Sequence, residues 1–354
     1  MGKKVKSDRI IVYLAITVII FTLSSWVGIS VLIIEKEPVP AWAETFNSSN
    51  RSESVTVYDP DRVDENFCIG LYTAPIHEQK YFLQKSKNLT KNETFEGYFC
   101  IANNMYSEND YLIFCLMDYK QVPFSFNESD AEILHKIRLE SFEEKFYHFD
   151  LGPLESGTHE FEIFLILKPY ETSLNQSFRL STDFSHLGSI RLNLFVDDWN
   201  MPPVVYTNFS DLNCHQCDSQ YPGNDGVMLV KEPCSTRAWT SENVTSGDPL
   251  DYWMNVAAAD DYPVAFGLIV LVDYIQVPIW TNSPNDVIFG KLDAGEKLSF
   301  PTKIVVPREK GVHELMAIWL PAPYQRMDRL PEAPASPNQW AWAQPSIRVG
   351  LNVG

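Results

Sequence analysis

The sequence has no glycine-rich phosphate loop, no Gly-x-Ser-x-Gly elbow and no His-Glu-x-x-His pair. The common signatures of nucleotide binding, serine hydrolysis and zinc proteolysis are therefore missing, and a non-enzymatic protein with no cofactor is the expectation. Basic residues are also scarce: 28 Lys and Arg stand against 46 Asp and Glu, a formal net charge of -18. So acidic a surface repels phosphate backbones, which argues against nucleic acid as a partner. Sustained amphipathic helical periodicity is absent beyond residue 40. Charge of either sign is absent from residue 10 to residue 34.

That last absence is a signal. The charge-free run is long enough, at about 1.5 Å of rise per residue, to cross a hydrocarbon core of about 30 Å. Lys3, Lys4, Lys6 and Arg9 precede it, and Glu35, Lys36 and Glu37 follow. The positive-inside bias then keeps residues 1–9 in the cytoplasm as a basic tail, makes 10–34 a single-pass signal anchor, and exports the rest. A cleaved signal peptide ending at Ala41-Trp42-Ala43 is the rival reading, weakened by a hydrophobic run longer than the ordinary one. Residues 35–65, rich in Ser, Pro, Asn and acids, read as a solvated stalk. Eight Asn-x-Ser/Thr sequons, at Asn47, Asn50, Asn88, Asn92, Asn127, Asn175, Asn208 and Asn243, all fall on the exported side, where they fit surface loops and possible glycosylation.

The chain repeats itself. Tyr111-Leu-Ile-Phe-Cys-Leu-Met-Asp118-Tyr119-Lys-Gln121-Val122-Pro123 returns as Phe266-Gly-Leu-Ile-Val-Leu-Val-Asp273-Tyr274-Ile-Gln276-Val277-Pro278. Gly157-Thr-His159-Glu160, an apolar strand and Lys168-Pro169-Tyr170 return as Gly311-Val-His313-Glu314, an apolar strand and Ala322-Pro323-Tyr324. Ser189-Ile190-Arg191 returns as Ser346-Ile347-Arg348. Three blocks in one order indicate a tandem duplication. Ile190, Leu192, Leu194 and Val196 alternate with Arg191 and Asn193, as Ile347, Val349, Leu351 and Val353 alternate with Arg348 and Asn352. A period of two predicts strands with one buried face and one solvated face. The runs Leu112–Met117 and Leu268–Val272 are apolar throughout, which predicts strands covered on both faces.

Short strands separated by Pro, Gly, Asn and Asp predict an all-β chain of two tandem β-sandwiches, at 66–198 and 225–354, joined by a cysteine-containing connection at 199–224. The Gly-x-His-Glu turn that launches a late strand resembles immunoglobulin-like modules of bacterial and archaeal surface proteins. The resemblance implies a fold and no activity.

Six cysteines in an exported chain favour disulfides. Cys68, Cys100, Cys214, Cys217 and Cys234 are the candidates, with Cys115 set apart as a small hydrophobe within an apolar strand. Cys214-His-Gln-Cys217 is the sharpest motif. It reads first as a disulfide staple using Cys234, then as a zinc site with His215, then as a redox pair. His159 and His313 occupy equivalent turns, and duplication at separate sites points to a turn or strand-capping role. The pairs Asp197-Asp198, Asp260-Asp261 and Glu143-Glu144 are what an acidic composition produces, and Ca²⁺ at Asp197-Asp198 would need six to eight spaced oxygens that nothing nearby in sequence supplies. Residues 326–345 carry Pro331, Pro334, Pro337 and Pro345 together with Trp340 and Trp342. With Tyr324, the two Trp residues are candidates for a recognition surface or, alternatively, a cap on the sandwich core. The expected function is binding or assembly at the cell envelope, with a protein or glycan as partner and the membrane reached through the N-terminal helix. A carbohydrate-binding surface protein and a thiol-disulfide or metal protein are the alternatives.

Overall fold

A computed structural model describes residues 55–56, 66–83, 85–182, 184–218, 226–260, 262–281, 283–327 and 343–354. The expected membrane anchor, most of the stalk, and Trp340 and Trp342 lie outside these residues. No described helix is long and apolar enough to cross a membrane. Residues 51–354 form one compact unit.

In chain order the first copy contains Val55–Thr56 (β1), Phe67–Tyr72 (β2), Ser86–Leu89 (β3), Thr94–Asn103 (β4), Asn109–Met117 (β5), Lys120–Val122 (β6), Ser125–Phe126 (β7), His135–Leu139 (β8), Glu143–Pro153 (β9), Gly157–Leu167 (β10) and Leu187–Val196 (β11). The second contains His215–Gln216 (β12), Gly226–Val230 (β13), Ser241–Val244 (β14), Pro249–Ala257 (β15), Val264–Val272 (β16), Ile275–Val277 (β17), Ile279–Trp280 (β18), Pro284–Asn285 (β19), Ile288–Leu292 (β20), Lys297–Val305 (β21), Gly311–Pro321 (β22), Gln344–Pro345 (β23) and Val349–Val353 (β24). A helix of six residues, Gln176–Ser181 (α1), lies between β10 and β11, its N-terminus capped by Asn175.

Each copy is a pair of sheets. In the first, β1-β9-β4-β2 faces β3-β11-β10-β5-β6; in the second, β13-β15-β21-β18-β19 faces β14-β24-β22-β16-β17. The topologies match down to the parallel edge pairings, β3 on β11 and β14 on β24. Phe99, Phe149, Phe161 and Leu165 fill the first core, and Met254, Phe300, Phe266 and Trp319 the second. Cys115 is buried in the first core, packed as a small apolar side chain.

The second covering of the apolar runs is the sister sandwich. In β5, Tyr111, Ile113 and Cys115 point into their own core. Leu112, Phe114 and Leu116 point the other way, into a third apolar cluster shared with Ile269 and Leu271 of β16 and Met316, Ile318 and Leu320 of β22. The unit is thus four stacked sheets with three apolar layers, of which the middle one is the seam between copies. Two features show how the copies and the connection at 199–224 are built together. From Thr207 the connection is built into the second sandwich: Thr207 N donates to Phe289 O at 2.7 Å, Phe209 and Leu212 enter the second core, and β12 pairs with β21. Arg191, Asn193 and Arg348, expected on solvated faces, are 4%, 0% and 1% exposed. Their strands are covered on both sides, and the charges survive burial because the seam supplies partners.

Candidate functional site

The repeated blocks are the parts that build the seam. Asp118 and Tyr119 form a two-residue hairpin turn with φ of 51° and 67°, and Asp273 and Tyr274 repeat it at 49° and 67°. Positive φ at both central positions gives the turn the twist of its strands, at some strain in side chains other than glycine. The aspartates offset that strain. Asp118 Oδ1 accepts from Glu160 N at 2.9 Å while Oδ2 accepts from His159 Nδ1 at 2.7 Å. Asp273 does the same with Glu314 N at 2.9 Å and His313 Nδ1 at 2.6 Å. The opposite ring nitrogens donate to the carbonyls of Glu155 at 3.1 Å and Glu309 at 2.8 Å.

Two acceptors facing two ring nitrogens suit an imidazolium. The hydrogen bond to Asp118 holds the His159 pKa above its ordinary value. At His313 burial pulls downward, but the Asp273 and Glu309 contacts outweigh it and the pKa is again raised. Burial also lifts the Glu162 carboxyl, against the pull of Arg191, to about 8. A pKa raised on folding contributes stability below the unfolded value that is lost as pH rises through the folded value. For the histidines this loss begins near 6.5, and for Glu162 it extends from about 4.5 to about 8. Chemical denaturation is therefore expected to show stability falling from pH 6 to about pH 8. The slope should flatten in His159→Gln with His313→Gln; a profile rising with pH, or unchanged in the double variant, would refute the assignment.

Across the seam the contacts are reciprocal. Gln121 N donates to Gln276 Oε1 at 2.7 Å and Gln276 N to Gln121 Oε1 at 2.8 Å, while the two side-chain amides donate to Tyr274 O and Tyr119 O. Arg191 donates to the carbonyls of Pro321 and Ala322 in the second copy, and Arg348 donates to Lys168 O at 3.0 Å in the first. Arg191 pairs with Glu160 at 2.7 Å, and Arg179 of α1 reaches Glu314 across the seam. Tyr324, expected on a recognition surface, is half-buried here: its ring lies 5.2 Å from Tyr119 and its N–H donates to Glu160 Oε2.

The staple expected to use Cys234 is present, and of the two motif cysteines one takes part in it. Cys217 is bonded to Cys234, whereas Cys214 is a half-buried thiol. Cys68 and Cys100 sit diagonally on β2 and β4, since Cys68 faces Ala102 and Gly70 faces Cys100. Neither belongs to the described disulfide: Cys68 Sγ accepts from Asn104 Nδ2 at 3.3 Å, and Cys100 is a buried thiol.

Cys100 belongs to a cluster that no sequence spacing announced. On the outward face of the β9-β4-β2 sheet it lies beside Glu144, whose opposite number on β4 is Ala102. Residues 73–81 pass over this face, their two ends joined by Thr73 N to Tyr81 O at 2.6 Å, and place His77 on the pair. His77 Nε2 contacts Glu144 Oε1 and lies 3.7 Å from Cys100 Sγ, and one ligand atom from each of the three residues lies within 4.8 Å of the others. Tyr72 OH meets the other ring nitrogen at 3.0 Å, and Tyr72 and Phe146 pack edge-on against the imidazole at 5.3 and 4.9 Å. Glu143-Glu144, read from sequence as a product of composition, is in fact a buried pair. Glu143 is 6% exposed and bonded to Lys145, and Glu144 is 5% exposed and bonded to His77.

The cluster is not arranged as a nucleophile, base and orienting group. Such a relay uses opposite nitrogens of the ring, whereas Cys100 and Glu144 share Nε2. Burial, reinforced by Glu144, pushes the Cys100 thiol pKa well up, opposite to what a thiolate nucleophile needs. What the three groups have in common is convergence on one point.

No known protein family and no curated protein matches the chain. Solved structures similar to it include the CARDB domain of a Pyrococcus furiosus protein in complex with di-metal ions, at 12% identity over 37% of this chain and 87% of that one, TM-score 0.22. Red sea bream transglutaminase matches at 9% identity over 83% of this chain and 32% of its own, TM-score 0.22. A PapD-like domain of human CEP192 matches at 12% identity over 39% and 89%, TM-score 0.21.

Proposed function

We propose that this chain is a non-enzymatic, single-pass membrane protein whose two immunoglobulin-like sandwiches, displayed outside the cytoplasm, mediate binding or assembly at the cell envelope. The observation that carries the reading is how the buried charged groups are used. Arg179, Arg191, Arg348, Glu160 and Glu314 each bond across from one sandwich to the other, and such investment suits a platform rather than a reaction centre. The export side of the reading draws on the Cys217–Cys234 bond, which suits an oxidising compartment. It draws equally on the sequons: Asn88, Asn92, Asn127, Asn175, Asn208 and Asn243 are all exposed, as acceptors of glycan must be.

Protease added to intact cells or sealed spheroplasts should digest the chain beyond residue 40 and leave a short membrane-retained fragment. Recovery of the full-length chain from intact cells, with digestion only after lysis, would overturn the topology. A carbohydrate ligand is the second reading, favoured by Trp199. This residue is 52% exposed and stacks on Phe195 at 4.6 Å, with Arg326, at the root of the segment bearing Trp340 and Trp342, over its ring. A glycan array separates the two readings, since a protein partner predicts no glycan bound through Trp199.

A further inference from the structure

The two copies hold down the same loop by different chemistry. In each, the segment after the first long strand crosses the outward face of the outer sheet. The register that sets Cys100 opposite Phe146 sets Asn255 opposite Ser299, and the turn in which Glu143 accepts from Glu140 N recurs as Glu296 accepting from Asp293 N. By that register Cys100 corresponds to Asn255 and Glu144 to Lys297. In the second copy the crossing segment carries Cys234, whose bond to Cys217 staples it over Ala257 and Met228. In the first copy the corresponding segment carries His77 and has no such bond. Its anchorage is His77 on Glu144 and Cys100.

We propose that His77, Cys100 and Glu144, with Cys68 at the rim of the same face, form a binding site for a zinc-class divalent cation that pins residues 73–81 to the first sandwich. Sulfur, imidazole nitrogen and carboxylate oxygen together form a donor set suited to tetrahedral Zn²⁺. Bond lengths of about 2.0–2.3 Å put ligand atoms of such a site roughly 3.3–3.8 Å apart. The 3.7 Å between Cys100 Sγ and His77 Nε2 already meets this. The His77–Glu144 contact has to open by about an ångström, which the half-exposed His77 side chain permits. Tyr72 accepts from the ring nitrogen that faces away from the cluster, the outer contact that orients a ligating histidine. On binding, the Cys100 thiol releases its proton to solvent, and two anionic ligands, otherwise costly to bury side by side, are balanced by a dication. The second copy carries Asn255 and Lys297 at the positions of Cys100 and Glu144, as a loop held by a disulfide allows.

The test uses the full chain in detergent, purified without oxidant, stripped with chelator and titrated with Co²⁺ as a spectroscopic probe. A near-ultraviolet thiolate-to-cobalt band should appear and saturate at one equivalent, and Zn²⁺ should abolish it. Cys100→Ala should remove the band, His77→Ala and Glu144→Gln should weaken binding at least tenfold, and Cys214→Ser should leave it unchanged. His77 lies on the surface, so its variant keeps the fold, and at a Zn²⁺ concentration that saturates the parent it should gain less in Tm than the parent or Cys214→Ser. No cobalt band, a band that survives Cys100→Ala, or a Cys68–Cys100 disulfide in the native protein would overturn the proposal.

Discussion

Arg191→Ala is expected to destabilise the unit by about 3–5 kcal/mol, the usual cost of removing one partner from a buried ion pair. The Arg191 side chain is wholly enclosed, and its guanidinium serves Glu160 and the carbonyls of Pro321 and Ala322 together. Its loss strands Glu160, whose side chain is 3% exposed, leaves two carbonyls of the sister copy unpaired, and deprives Glu162 of the cation that restrains its already raised pKa. The contrast is Arg138, which grips Asp110 with two hydrogen bonds of 2.7 and 2.9 Å but is 59% exposed. Solvent screens that pair, and Arg138→Ala should cost no more than about 1 kcal/mol. Urea titrations of both variants check the ranking; equal effects would mean that the seam contributes no more than the surface does.

The second large effect is expected at Trp319. This side chain is fully buried in the second core and stacked on Phe266 with ring centroids 3.8 Å apart. Trp319→Ala should cost about 3–5 kcal/mol, through lost transfer free energy and the cavity left between rigid sheets. Among the described residues its indole N–H has no hydrogen-bond partner, so packing is the contribution to test. Trp319→Phe, which keeps the stack and removes the orphan donor, should retain most of the stability. A Phe variant as unstable as the Ala variant would show that the indole N–H matters after all. Calorimetric melts of the two suffice.

How much of this was legible in sequence differs sharply between apolar and polar residues. Leu112–Met117 and Leu268–Val272 announced strands covered on both faces, because a strand with a wet face is not apolar at every position of such a run. What covered the second face was invisible, since a hydrophobic run records that water is excluded and not by which neighbour. Arg191 and Arg348 misled for a related reason. Alternation places an arginine on the solvated face unless something at long range pairs with it, and the partners of Arg191 at Pro321 and Ala322 lie 130 and 131 residues away. His77, Cys100 and Glu144 left no trace, because their spacings of 23 and 44 residues match no ligand motif and become adjacent only through the β2-β4-β9 register. His159 and His313 could be read as structural because the repeat puts a histidine in the same turn of both copies, at two separate sites.

The reciprocal pairing at Gln121 and Gln276 has a consequence for the history and later freedom of the chain. A patch that meets its own counterpart about a two-fold axis is the geometry of a closed homodimer. Tethering the two partners replaces an encounter between molecules with one inside a molecule, at an effective concentration on the order of millimolar. Once the pairing no longer depends on chance meeting, the two halves need not stay identical. Each becomes free to specialise so long as the shared patch is kept. Gly267, above which Tyr119 packs too closely for any larger residue, shows that divergence at the patch itself. The disulfide of one half and the His77 cluster of the other differ in the same way at a distance, the same loop being held by unlike chemistry.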